Sequence, residues 1–102
     1  MTDYERRVFG RAIDQFGHEA QQKMLVEEMS ELTKEVCKMW RGRTNLDHLA
    51  EEIADVEICI EQLKLMLQSG GLVQQWRLEK TRRLEETMNE EILRAFAKEA
   101  EP

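Results

Sequence analysis

The sequence predicts an all-α protein that forms one four-helix, bundle-like domain over residues 1–102. Apolar residues recur every three or four positions in four successive segments, which is the period of an amphipathic helix. Hydrophobic residues make up 41% of the chain and charged residues 35%, and there is a single proline, a composition that argues against a β-sandwich or barrel. A chain of this length builds only a modest core, so association with another copy would help to bury it.

Capping residues and glycines delimit the first two predicted helices. Thr2 and Glu5 have the spacing of a capping box, and the apolar pattern that follows them stops at Gly17. A second helix is predicted from His18 to Arg41, with Gly42 as its terminator.

The third and fourth predicted helices are separated by a serine–glycine–glycine break. Thr44, with Asp47 three residues later, is the predicted cap of helix three, which runs to the break at 69–71. Helix four is predicted over 73–97, and the charged tail at 98–102 is expected to fray.

Helix three is apolar on two sides. Ile58 and Leu65 lie nearly opposite the line through Leu49, Ile53 and Val56 on a helical wheel. One side can therefore pack inside the subunit and the other against a second copy, which predicts a homodimer or homotetramer through helix three. The alternative is a central helix of a monomeric bundle, covered on both sides by its own chain.

Charge and composition exclude several classes of protein. The N-terminal MTDYERR has no apolar run behind it and no eighteen apolar residues follow one another, so we expect a cytoplasmic protein without signal peptide or membrane contact. The net charge is −6 and there is no basic stripe, which disfavours binding to a nucleic-acid polymer. Cys37 and Cys59 lie in helical pattern without a CxxC spacing and are expected to be reduced, semi-buried thiols.

Two stretches, LVEEMSEL at 25–32 and LAEEIADV at 49–56, carry acids at the same phase beside the apolar stripe. In each stretch one acid lies about 60° and another about 120° from the leading leucine. These four acids are Glu28, Glu31, Glu52 and Asp55. If helices two and three pack antiparallel, as their short connection favours, the four carboxylates converge at the border of the core.

Converging carboxylates repel one another and need protons or a cation to neutralise them. Oxygen ligands of this kind suit Mg²⁺, with Mn²⁺ as the other hard ion that fits. Glu27 and Glu51 point about 160° away from the stripe and are expected to be solvated. The ordinary alternative is that all these acids are solvated helix residues, although a repeated, phase-matched pair is less common than a single Glu-x-x-Glu.

The stretch FGHEAQQKMLVEEMSEL, followed further on by EEIAD, resembles the EExxE…ExxD signature of the MazG-like all-α nucleoside triphosphate pyrophosphohydrolases. The resemblance extends from Phe16 to Val56. It implies a compact helical bundle that associates as dimers or tetramers. It also implies hydrolysis of a nucleoside triphosphate, expected to be a deoxynucleoside triphosphate, between the α and β phosphates. The implied catalytic and magnesium-binding residues are the same four acids, Glu28, Glu31, Glu52 and Asp55.

Three further side chains are predicted to contact the substrate. Lys80 and Arg83 lie beside the apolar stripe of helix four, where basic side chains could reach phosphate oxygens. The Lys80 stem could equally cover apolar surface. Gln21 shares a face with Glu28 and matches the FGxxxQ pattern of the family, so its amide could contact a base edge or orient a ligand carboxylate.

Other assignments stay open at the level of sequence. Glu35 could act as a general base, as could any of the four acids, but a solvated glutamate is favoured there. Phe16 and Trp40 could stack on a base, although a core role is favoured for both. A catalytically silent module that binds a metal or a protein partner, and a relative of phosphoribosyl-ATP pyrophosphatase, are the alternative functions.

Overall fold

The computed structural model describes residues 1–101, and all of their regular secondary structure is helical, which confirms the all-α class. The helices are α1 (Asp3–Phe16), α2 (His18–Trp40), α3 (Leu46–Leu67) and α4 (Gly70–Glu99). None of these described helices is both long enough and apolar enough to cross a membrane.

The first helix begins and ends as predicted. The hydroxyl oxygen of Thr2 accepts a hydrogen bond from the backbone N–H of Glu5 at 3.0 Å, and Oε1 of Glu5 accepts one from the backbone N–H of Thr2 at 2.8 Å. This reciprocal pair is a capping box. Gly17 ends the helix with φ at +94°, a value that side chains rarely adopt.

The cap of α3 differs from the prediction. Asn45, and not Thr44, precedes the helix, and its Oδ1 accepts a hydrogen bond from the backbone N–H of His48 at 3.1 Å. Asparagine is at least as good an N-cap as threonine, and the choice shortens α3 by one residue at its start. Gly42, with φ at +72°, follows α2 as predicted.

The break between α3 and α4 is shorter than predicted. Gln68 takes a left-handed conformation at the end of α3, with φ at +50°. α4 then begins at Gly70 instead of Val73, so both glycines lie in its first turn, and it continues to Glu99. Pro102, the last residue of the predicted frayed tail, lies outside the described residues.

The chain divides into two compact units, and the first, Met1–Ser69, contains α1, α2 and α3 packed on one another. Within this unit α2 and α3 make the most extensive contact with each other. They run antiparallel, as predicted: Gln21 near the start of α2 contacts Gln62 near the end of α3, whereas Glu35 near the end of α2 lies close to His48 near the start of α3. The buried apolar side chains of this unit come from α1 and α3; they are Phe9, Ile13, Leu49, Val56 and Cys59.

The second unit begins at Gly70 and contains α4. None of the residues of this helix is buried. The prediction that residues 1–102 form a single domain stays a prediction.

Candidate metal centre

Three polar pairs cross the seam between α2 and α3 at seven-residue intervals, and we call these six residues the polar ladder. The pairs are Gln21 with Gln62, Glu28 with Asp55, and Glu35 with His48. Seven residues make about two helical turns, so each helix presents one polar side chain to its partner at the same phase. Because the helices are antiparallel, the residue numbers rise along α2 as they fall along α3.

The first pair of the ladder is complementary. Nε2 of Gln21 donates a hydrogen bond to Oε1 of Gln62, and both side chains are buried. One amide donor of Gln21 is thereby committed to α3. Its predicted contact with a substrate base is not tested by this geometry and stays a prediction.

The last pair of the ladder joins an acid to a base. Glu35 is buried, and its Oε1 accepts a hydrogen bond from Nζ of Lys38 at 2.8 Å and lies 3.7 Å from Nε2 of His48. The hydrogen bond from Lys38 lowers the pKa of Glu35, and the charges of Lys38 and His48 lower it further. The favoured prediction that Glu35 is solvated is wrong, because α3 covers this side of α2.

The middle pair differs from the other two because both of its members are acids. Oxygens of Glu28, Asp55 and Glu52 all lie within 4.8 Å of one another, and we call these three residues the acidic cluster. Glu28 comes from α2 and the other two from α3. No basic side chain is paired with Glu28 or Asp55 among the ion pairs of the described residues, so this part of the seam carries uncompensated negative charge.

Burial and mutual repulsion perturb the acidic cluster. Burial raises the pKa of Glu28, and the charges of Asp55 and Glu52 raise it further. Burial is also the largest cause that raises the pKa of Glu52, followed by the charge of Asp55. Both carboxylates therefore hold protons more tightly than a solvated glutamate, as expected when like charges share one place.

Glu52 has one oxygen that the rest of the structure does not satisfy. Its side chain is only 12% exposed, and its Oε1 lies 3.3 Å from Nε2 of His48. Its Oε2 is buried and has no hydrogen-bond partner among residues 1–101. A buried acceptor without a partner is costly, and a cation held by the acidic cluster would remove that cost.

Cys59 lies one helical turn beyond Asp55 and borders the acidic cluster. It is buried, and Cys37 is half-buried, and both are free thiols, as predicted. Burial raises the pKa of the Cys59 thiol, with smaller contributions from the charges of Glu28 and Asp55. The thiol is thus held protonated beside the carboxylates, and its sulfur is not among the atoms that converge.

Glu31 is the predicted ligand that does not join the acidic cluster. Its Oε1 is 3.3 Å from Nζ of Lys34, and about half of its side chain is exposed. It still lies close enough for its charge to raise the pKa of both Glu28 and Glu52. Glu27 and Glu51 were predicted to be solvated, and this is confirmed, because both are exposed.

The predicted phosphate contacts, Lys80 and Arg83, lie on α4 in the second unit. Both are exposed, and Nε of Arg83 is 3.2 Å from Oε1 of Glu79. Their contact with phosphate stays a prediction.

Phe16 and Trp40 were predicted to be core side chains, and this is wrong, since Phe16 is 60% exposed and Trp40 is 81% exposed. Both lie in the last turn of a helix, where an aromatic side chain can extend past the neighbouring helices.

His48 was not among the predicted site residues. It lies between two glutamates: its Nε2 is 3.3 Å from Oε1 of Glu52 and 3.7 Å from Oε1 of Glu35. The spacing of His48 and Glu52, four residues apart on one helix, is the signal that could have indicated it. The proximity to Glu35 depends on the packing of α2 against α3, which spacing does not reveal.

The donors of the acidic cluster fit a hard divalent cation. All three are carboxylates, with no nitrogen or sulfur atom among them, and they come from two helices whose backbones hold them together. Such oxygen donors suit Mg²⁺ or Mn²⁺ better than zinc or copper. The three residues leave part of a six-coordinate shell to water or to substrate oxygens.

Searches of protein-family models, curated proteins and solved structures returned no match to this chain.

Proposed function

We propose that the protein is a magnesium-dependent hydrolase that cleaves a nucleoside triphosphate between its α and β phosphates and releases the monophosphate and pyrophosphate. The substrate would be a deoxynucleoside triphosphate. The observation that carries the proposal is the acidic cluster, where three carboxylates from two helices lie within 4.8 Å of one another and an oxygen of Glu52 is buried without a partner. The resemblance of its sequence to the EExxE…ExxD signature supports the same reaction.

In this proposal Glu28, Glu52 and Asp55 hold the cation, and Glu31 joins them when its ion pair with Lys34 opens. Bound Mg²⁺, or Mn²⁺ in its place, would neutralise phosphate charge and lower the pKa of a water molecule. Lys80, Arg83 and the free amide positions of Gln21 would contact the substrate. The chemistry also fits a cytoplasmic protein, since nucleoside triphosphates are abundant there.

The general base is one of the four predicted acids in this proposal, and Glu35 is disfavoured. A base must accept a proton from water, and the pKa of Glu35 is lowered by its hydrogen bond from Lys38. His48 instead lies between the two glutamates, with its Nε2 3.3 Å from Oε1 of Glu52 and 3.7 Å from Oε1 of Glu35.

The proposal includes association of the chain as a homodimer or homotetramer through α3. Ile53, Ile58 and Ile60 each leave about 40% of their side chains exposed on this helix. Ile53 and Ile60 lie on one side of α3 and Ile58 about 140° away, so each side exposes a large aliphatic side chain of the kind that a second copy covers.

The test is an assay of pyrophosphate release from a panel of nucleoside triphosphates with Mg²⁺. We expect pyrophosphate and not orthophosphate. Glu52→Gln should abolish turnover, whereas Glu51→Gln, which changes the same group one residue away on the exposed side, should leave it nearly intact.

Three results would overturn the proposal or redirect it. Equal loss in the two variants would refute the assignment of the acidic cluster. No turnover by a folded sample over the whole panel would favour a silent metal- or partner-binding module. Turnover of phosphoribosyl-ATP alone would indicate the histidine-synthesis relative.

A further inference from the structure

α4 exposes large apolar side chains along its whole length. Its thirty residues span about 45 Å, and none of them is buried. Six of these residues are each between 51% and 66% exposed; they are Leu72, Trp76, Leu84, Met88, Ile92 and Phe96. A helix of this kind is stabilised in water mainly by packing its apolar face, so α4 requires a covering surface.

The charges of α4 are divided into two halves of opposite sign about Leu84, close to the middle of the helix. Residues 72–83 contain four basic side chains and one acidic side chain, which gives a net charge of +3. Residues 85–96 contain four acidic side chains and one basic side chain, which gives −3. This order gains nothing from the helix dipole, which favours acids near the N-terminus and bases near the C-terminus.

The charge order is instead complementary to a second, antiparallel copy of the same helix. We propose that α4 pairs with α4 of a second copy of this chain, antiparallel, with Leu84 at the two-fold axis. The positive half of each helix then lies along the negative half of its partner. A parallel pair would place halves of like sign side by side, which is unfavourable. The proposal does not depend on the enzymatic activity proposed above.

This register also matches side chains on the face that carries Leu84. With Leu84 at the axis, Val73 is level with Ala95 of the second copy, because both are eleven residues from position 84, and both lie about 20° from the direction of Leu84 on a helical wheel. Arg77 is level with Glu91, and both lie only about 20° from the direction of Leu84 on a helical wheel. Apolar side chains and opposite charges therefore meet along the same line.

The first experiment is crosslinking through an engineered thiol, with sedimentation to measure the oligomer. Leu84→Cys should form a disulfide-linked dimer on mild oxidation, because a residue at the two-fold axis meets its own copy. Val73→Cys should not link to itself but should link to Ala95→Cys when the two variants are mixed, because these two positions face each other across the pair. The parent chain, oxidised in parallel, gives the background from Cys37 and Cys59, which are half-buried and buried.

The second experiment exchanges charges at exposed positions, where folding should not be affected. Arg77→Glu and Glu91→Arg should each weaken association about tenfold, a factor that corresponds to about 1.4 kcal/mol. The double variant should restore it, because the pair is re-formed with its signs exchanged. Arg82→Glu is the control, since Arg82 points about 160° away from Leu84. Sedimentation is repeated with Ile58→Glu, so that any contact through α3 is removed.

A monomer of the Ile58→Glu chain at high concentration would overturn the proposal. So would a dimer that Leu84→Cys does not crosslink, or one in which Val73→Cys links to itself. Association weakened equally by Arg77→Glu and Arg82→Glu would also overturn it, since the specific register would then have no effect. None of these results bears on pyrophosphate release, so this proposal and the enzymatic one fail separately.

Discussion

Replacement of Gln62 by leucine tests whether the polar ladder fixes the register of α2 against α3. The substitution keeps the approximate volume of the side chain but removes the acceptor for Nε2 of Gln21. Gln21 and Gln62 are only 9% and 6% exposed, so water does not easily replace the lost partner. A buried donor left without an acceptor costs about 1–3 kcal/mol.

The cost should appear as a lower free energy of unfolding in urea and as a lower melting temperature. For a domain of 60–100 residues, 1 kcal/mol shifts Tm by about 4–8 °C. Gln21→Leu with Gln62→Leu should recover most of the loss, because two apolar side chains leave no polar group unsatisfied. Gln22→Leu is the control, as its side chain is exposed, and it should change stability by less than about 0.5 kcal/mol.

The double-mutant cycle decides the outcome. If the two single losses simply add in the double variant, the amides are not coupled, and the account of the seam is refuted. A loss in Gln62→Leu no larger than that in Gln22→Leu would refute it equally.

Two further predictions concern pH and association. Without divalent cations, wild type should gain stability relative to Glu52→Gln as pH falls from 7 toward 4.5, because burial and Asp55 raise the pKa of Glu52 above its ordinary value of 4.5 and its protonated form favours folding. Urea unfolding at a series of pH values measures this, and a difference that stays constant or changes in the opposite direction would contradict it. Ile58→Glu should remove the association through α3; sedimentation measures the oligomer, and an unchanged profile would reject that interface.

Local signals predicted the helices well because the deciding interactions lie within a few residues. The capping box of Thr2 and Glu5 and the left-handed turn at Gly17 depend only on neighbouring backbone. Where two neighbouring residues could each begin a helix, the predicted helix start differs from the observed one by one to three residues. Asn45 displaced Thr44 as the cap of α3, and helix extended back to Gly70 even though glycine is a poor helix former.

The candidate site was predictable in phase but not in detail. Helical angles placed Glu28, Glu52 and Asp55 at the border of the core, where the structure has them. The same angles could not distinguish Glu31 from the other three acids, although its carboxylate pairs with Lys34 on its own helix and does not join the acidic cluster. Angles describe where a side chain starts, whereas the position of its carboxylate depends on its rotamer and its partners.

The environment of Glu35 was beyond sequence reasoning for a different reason. A glutamate is ordinarily solvated on a helix, and this one is buried because α3 supplies His48 opposite to it. That contact depends on the register between two helices. That register is set by contacts between residues far apart in the chain, such as Gln21 with Gln62, and helical spacing does not determine it.

The central claim is that the acidic cluster binds a divalent cation, and calorimetric titration of the protein with Mg²⁺ tests it most directly. Wild type and Glu51→Gln should bind the ion with the same affinity, and Glu52→Gln should bind it at least about tenfold more weakly, which corresponds to about 1.4 kcal/mol or more. Equal affinity in all three proteins, or no binding by wild type at millimolar Mg²⁺, would contradict the account.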